Sequence, residues 1–197
     1  MRPPALGTSV RKRAPSSSST ALKPLKDRIG RDLRVLFVGI NPGIRSSLTG
    51  HHFAGYSNRF WKLLYESGLV PEPITYADDR RLPDWGFGIT NLIPRPTPGI
   101  DTLHREEYVV GLRALRRKVR RLRPEVVAFV GVTLFRSIFA RPPSQPAPLG
   151  LRPETFEGAA VFVLPNPSGR NANFSYAEMR AAFKGLARYA RRSTRRA

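Results

Sequence analysis

Three short stretches of this chain carry side chains suited to holding a small polar ligand. They are Gly39-Ile40-Asn41-Pro42-Gly43, Thr90-Asn91-Leu92-Ile93-Pro94-Arg95-Pro96-Thr97 and Leu164-Pro165-Asn166-Pro167-Ser168-Gly169-Arg170-Asn171. Each follows an apolar run and is stiffened by proline, so Asn41, Asn91 and Asn166 are expected at rigid strand ends. Between the first two stretches lie His51-His52, the aromatic Phe53 and, just before an apolar run, Asp84. Glycines after a strand often cradle phosphates, but Gly39 to Gly43 lacks both the lysine of G-x-x-x-x-G-K-[ST] and the spacing of G-x-G-x-x-G. A nucleotide cofactor is therefore not expected. Cysteine is absent and the histidines are only His51, His52 and His104, with no carboxylates clustered near them, so no metal site is expected either.

The elements that must position these residues read as an alternation. Val35 to Val38, Gly86 to Ile93, Val126 to Gly131 and Val161 to Leu164 are apolar, β-branched runs with the length of buried strands. Helical spacing covers Asn58 to Ser67, where Trp61 reads as core and Gly68 closes the helix. The clearest helix is Arg105 to Arg123, with Tyr108, Leu112, Leu115, Val119 and Leu122 on one stripe. A short helix is expected over Thr133 to Ala140, capped by that threonine, and another over Ser175 to Arg188, opened by the Ser175–Glu178 capping pair. Residues 71–83 read as irregular with a short helix, and 141–150 as a proline-rich connection. Strands apolar on both sides, interleaved with helices, predict an α/β fold: a three-layer α/β/α sandwich around a mainly parallel sheet. In such sheets ligands sit beyond the carboxyl ends of the strands, which is where all three stretches fall.

With 197 residues the chain accommodates one sizeable core, and we expect a domain over 26–190 flanked by basic tails at 1–25, read as disordered, and 191–197. The formal net charge is +20, of which the first 25 and last ten residues supply ten, without a single acid. The rest sits on the domain. Such charge favours a polyanionic partner, nucleic acid above all, although a basic surface with no ligand is the competing reading. The same choice applies to Arg113, Arg116, Arg117, Lys118, Arg120 and Arg121 on the polar side of the long helix: a solvated face or a phosphate contact. No apolar run of about 18 residues and no secretory signal are visible, so the expectation is an intracellular, cytoplasmic, monomeric protein with no membrane association.

Gly39-Ile40-Asn41-Pro42-Gly43, followed by Thr49-Gly50, Phe53-Ala54 and Asn58-Arg59-Phe60-Trp61, with Asn166-Pro167-Ser168-Gly169 late in the chain, closely resembles the mismatch-specific uracil-DNA glycosylases, bacterial relatives of thymine-DNA glycosylase. The resemblance spans Asp32 to Tyr189, and its two separated motifs stand in the right order on matching strand ends. It implies a glycosylase acting on double-stranded DNA with G:U or related mispairs, hydrolysing the N-glycosidic bond without a cofactor. Asn41 matches the catalytic asparagine. Its amide orients and polarises a water but cannot take the proton as a carboxylate would. The other reading of Asn41, a turn amide bonding its own backbone, does not account for the second motif.

Phe53 matches the position whose ring stacks on a flipped base, against the plainer reading of a core aromatic. Main-chain amides around Ile40 and Phe53, with Gly43 beside them, are implied to meet the base's carbonyl edge. Asn91 aligns with a position that reaches the base; it both donates and accepts, which broadens the bases accepted, or else it bonds within its own turn. Asn166, Pro167, Ser168, Gly169, Arg170 and Asn171 resemble the loop that enters the duplex. Related bacterial sequences place an apolar wedge after the glycine, whereas here Arg170-Asn171 stands there, and Arg170 can stack and donate to an orphaned guanine. Asp84 either supports water activation, if the fold brings it near Asn41, or caps a turn. His51 and His52 are expected to line the loop or contact phosphate, with no proton-transfer role. No lysine is placed for a covalent Schiff base. A broad or single-strand uracil glycosylase and a non-enzymatic nucleic-acid-binding module are the rival readings.

Overall fold

Four apolar segments lie side by side as parallel strands because both their faces must be covered. The computed structural model describes residues 22–142, 144 and 149–193. Its sheet comprises β1 (Val35–Gly39), β2 (Phe87–Asn91), β3 (Val126–Val130), β4 (Gly150–Phe156) and β5 (Ala159–Leu164), in the order β2-β1-β3-β5-β4. β1 is in parallel register with both β2 and β3, pairing Gly39 with Asn91 and Val35 with Val126. β3 and β5 continue the parallel array.

Alternate residues of each strand enter two cores. Val35, Phe37, Ile89, Ala128 and Phe162 pack under α2 (Phe60–Glu66) and α5 (Tyr176–Ser193), while Leu36, Val38, Val127, Phe129 and Val163 face α3 (Arg105–Leu122) and α4 (Val132–Phe139). The expected three layers are thus present. Trp61 is buried, and its indole N–H donates to the His52 carbonyl at 3.1 Å, tying α2 to the segment that carries Phe53. Ser175 and Glu178 form their reciprocal cap at the start of α5.

Three local expectations differ. β4 lies outside the four expected strands; it is an antiparallel edge strand whose burial alternates, and Pro153 is tolerated there because an edge strand has one unpaired side. It joins β5 through Glu157-Gly158, both at positive φ, the two-residue turn that matches strand twist. α4 begins at Val132 after Gly131 (φ 122), so Thr133 sits inside the helix and makes no cap. Residues Ile44–Thr49, expected as loop, form a six-residue helix, α1, that ends at Gly50 (φ 75). The expected basic tails fall largely outside the described residues. Where the described chain begins, Ser47 Oγ donates to the Lys23 carbonyl at 2.7 Å, and Leu25 lines the cleft at the carboxyl ends of the strands. At the other end α5 extends to Ser193, past the expected boundary at 190.

Candidate active site

The carboxyl ends of β1, β2 and β5 open into one cleft of about 680 Å³, lined among others by Asn41, Phe53, Asn91, Thr97, Asn166 and Arg170. The three proline-stiffened stretches therefore converge. The first two are zipped together beyond the sheet: Leu92 N–H donates to Gly39 O, Ile93 N–H to Ile40 O (both 2.8 Å) and Thr97 N–H to Pro42 O (3.0 Å).

Asn41 is fixed by this zipper. Its Nδ2 donates to Thr97 Oγ1 at 2.7 Å and also lies within reach of the carbonyls of Pro42 (3.2 Å) and Arg95 (3.4 Å). The Thr97 hydroxyl in turn gives its proton to Gly99 O at 2.6 Å, so only its lone pairs face Asn41. The nitrogen pole of the amide must point at Thr97. Oδ1 is left as the pole available to the cleft, an acceptor that can receive a hydrogen bond without ionising. Thr97 is 3% exposed, and its loop is anchored by Arg95, which makes a bidentate pair with Glu107 (2.8 and 2.7 Å) and donates to Thr102 O (2.9 Å). Glu107 also accepts from His104 N–H at the first turn of α3. The Arg95 guanidinium and the His104 amide hold its carboxyl down to about 2.

Phe53 adopts φ 50, a left-handed conformation rare for an aromatic residue, and its ring stacks on Phe60 with centroids 4.2 Å apart. The Ala54 amide is held by Ser46 Oγ and the Ala54 carbonyl by Arg45 Nε, which fixes the strained residue from its neighbour. Arg45 also stacks under Tyr56, at 3.6 Å from its centroid, and Tyr56 is 89% exposed beside cleft residues Gly55 and Asn58. Gly39 is required at the floor: a Cβ there would come within 2.7 Å of Asn91 Oδ1 and 3.5 Å of Phe53 Cζ. Gly43, by contrast, has an ordinary φ of −73 and open space where a Cβ would lie.

The late loop is prebuilt. Asn166 Oδ1 accepts from Ser168 N–H (3.0 Å), Asn171 Nδ2 donates to Asn166 O (2.7 Å), and Pro167 O accepts from Arg59 N–H (2.9 Å). Gly169 presses on Ser57 so closely that a Cβ would lie 2.4 Å from the serine Cβ. Exposed Arg170 reaches across to donate to Pro98 O at 3.1 Å, linking this loop to the one that holds Asn41.

Asp84 is not brought to this cleft. It directly precedes β2, whereas Asn41 follows β1; in parallel strands those positions lie at opposite sheet edges, about 16 Å apart for five residues. Asp84 instead lines a separate cleft of about 1060 Å³ with Asp32, Trp85 and Arg123. His52 lines the cleft while only 2% exposed, and His51 Nδ1 pairs with the buried carboxylate of Asp79 at 2.9 Å. On α3, Arg116 and Arg120 are taken up by Glu157, and Lys118 by Asp27 and Thr90, so these three serve the fold. Sequence reading singled out the second loop but not Thr97 within it; a hydroxyl between two prolines was the signal.

Fold and site together define an α/β protein with a strand-end pocket built around an immobilised amide. The family model described as the uracil DNA glycosylase superfamily matches residues 27–187, and the chain belongs to that superfamily. Over 161 residues it is 41% identical to the G/U mismatch-specific uracil DNA glycosylase of Schizosaccharomyces pombe, a match covering 78% of this chain and 50% of the relative. The chain thus spans about half the length of that curated relative. The solution NMR structure of a candidate uracil DNA glycosylase from Methanosarcina acetivorans shares the fold, with a TM-score of 0.57 at 17% identity, covering 84% of this chain and 98% of that one.

Proposed function

We infer that this protein is a monofunctional DNA glycosylase that removes uracil, and related altered pyrimidines, from positions opposite guanine in duplex DNA. The observation that carries the reading is the amide of Asn41, turned by Thr97 so that its oxygen is offered to the cleft. Breaking the N-glycosidic bond passes through a sugar with oxocarbenium character and sends the bonding pair to the departing base. Asn41 Oδ1 accepts a hydrogen bond from the water that attacks C1′. Because an amide takes no proton, that proton passes to solvent or to the leaving base, and the rate depends on a good leaving group. Phe53 offers the flipped base a ring face, Asn91 its polar edge, and backbone around Ile40 and Gly43 the approach to a base carbonyl. Arg170 leaves Pro98 to enter the duplex with Asn166 to Asn171, and exposed Tyr56 lies on the same rim.

The substrate is chosen partly before any base is read, because unpairing costs least at a mismatch. The protein works as a monomer on intracellular DNA and uses no cofactor. Duplexes carrying G opposite U, A opposite U and G opposite T, together with single-stranded U, followed by alkaline cleavage of abasic sites, test the reading. Release is expected to be fastest opposite guanine. Binding without base release from any of the four would reject it.

A further inference from the structure

The geometry points to His52 as the residue that sets which base the pocket accepts, by locking the side-chain amide of Asn91 in one orientation. This rests on the reading of the cleft as a base pocket. The lock begins at a backbone carbonyl. His52 Nε2 lies 3.1 Å from Lys26 O, and since a carbonyl only accepts, Nε2 must carry the proton. His52 is 2% exposed, and burial moves its titration below the ordinary imidazole range, so the ring is neutral near pH 7 and Nδ1 is a bare lone pair. The charged groups around the ring divide: Asp79 and Asp27 favour its protonation, Arg28 opposes it, and burial outweighs them.

Asn91 Nδ2 lies 3.4 Å from that lone pair and donates to it. The opposite pole, Asn91 Oδ1, therefore lies over Gly39, where the missing Cβ makes room, at the floor of the cleft. Turning the amide over would set its oxygen against Nδ1, two acceptors facing each other. Relief would need the other histidine tautomer, and that tautomer would set a bare Nε2 against Lys26 O. The carbonyl at the far end cannot change polarity, so the orientation runs one way only.

The consequence is a choice between bases of nearly equal shape. Uracil presents a donor at N3 and an acceptor at O4; cytosine presents an acceptor at N3 and a donor at N4. An asparagine offering Oδ1 beside a remaining Nδ2–H pairs with the uracil pattern, and cytosine in the same seat meets like poles at both positions. Sites that mispair buried polar groups reject strongly, as sites that merely adjust shape do not. Asn91 thus narrows the accepted bases rather than broadening them, and His52 is the positioning residue behind it.

The test has a readout in the free protein and one in turnover. Long-range ¹H–¹⁵N correlation of the His52 ring at pH 7.5 is expected to show the neutral Nε2–H tautomer; an Nδ1–H tautomer or an imidazolium overturns the lock. Single-turnover release of 5-fluorouracil and 5-fluorocytosine opposite guanine, both chosen as good leaving groups, gives a selectivity ratio. His52→Leu is expected to lower that ratio by about tenfold or more. His52→Asn, which returns an acceptor near the Nδ1 position, is expected to recover most of it. In an Asn91→Ala background His52→Leu should leave the ratio unmoved, which a purely structural role for His52 would not predict. Release of fluorouracil with a ratio indifferent to His52→Leu overturns the lock and leaves the glycosylase reading standing. Release of neither base by the unsubstituted protein overturns the glycosylase reading and the specificity claim with it.

Discussion

In the function proposed above, Asn41 is a weak functional group made useful by its neighbours. An amide has no basicity to lend, so its contribution depends on being held with the right pole outward, and Thr97 does this by spending its own proton on Gly99. Thr97→Val removes the hydroxyl at nearly constant shape, and Thr97→Ser keeps it. The valine variant is expected to lose about tenfold or more in single-turnover uracil release with duplex affinity little changed, and the serine variant to stay near the parent rate. Asn41 and Phe53 were legible in the sequence because their motif is local. Thr97 and His52 were not, because what they do depends on contacts with Asn41, Asn91 and Lys26, up to 56 residues away. In the sequence Asp84 stands open between water activation and a turn for the same reason: proximity to a strand says nothing until the strand's direction assigns an end, and the fold puts Asp84 in another cleft.

At the scale of elements, the site is a set of loops clamped to helices. The Arg95–Glu107 pair ties the Thr97 loop to the start of α3, and Glu107, lowered to about 2, contributes to the acid-side pH dependence together with Asp78, Glu154, Glu157 and Glu178, which are also lowered. A carboxylate lowered on folding contributes its stability above its unfolded value, here 4.5, and loses it as pH falls toward 2. Thermal unfolding followed from pH 6 to pH 2.5 is expected to show Tm falling through this window, with Glu107→Gln less stable than the parent at pH 6 and the two converging at the acid end. Asp79 clamps the segment that leads into Phe53. Its carboxylate is fully buried, accepts from His51 and the His52 amide, and lies 3.0 Å from Arg28 Nε. Removing it leaves the largely buried Arg28 guanidinium with carbonyl partners but no carboxylate, so Asp79→Ala is expected to cost about 3 kcal/mol in urea unfolding. The strands that face two cores were readable as apolar runs. β4 was not, since an edge strand with polar alternation and a proline has the composition of a loop, and α1 is too short to show a helical period.

At the scale of the whole molecule, the net charge of +20 is divided between the domain and the two ends. Two of the arginines that looked available on α3, Arg116 and Arg120, are committed to Glu157, which leaves fewer of that face's charges for the proposed phosphate attraction. Duplex affinity is expected to fall steeply between 50 and 200 mM salt, and removal of residues 1–21 and 194–197 to flatten that dependence while leaving the release rate at saturating DNA near that of the full chain. A mainly parallel sheet, with the loops after β1, β2 and β5 at one end, explains why three remote stretches form one pocket. The role of Asn41 is tested by single-turnover release of uracil from a G:U duplex by Asn41→Ala, with duplex binding measured alongside. If Asn41 orients the attacking water, the rate falls by at least about a hundredfold with binding retained; release of uracil at the parent rate would rule that role out.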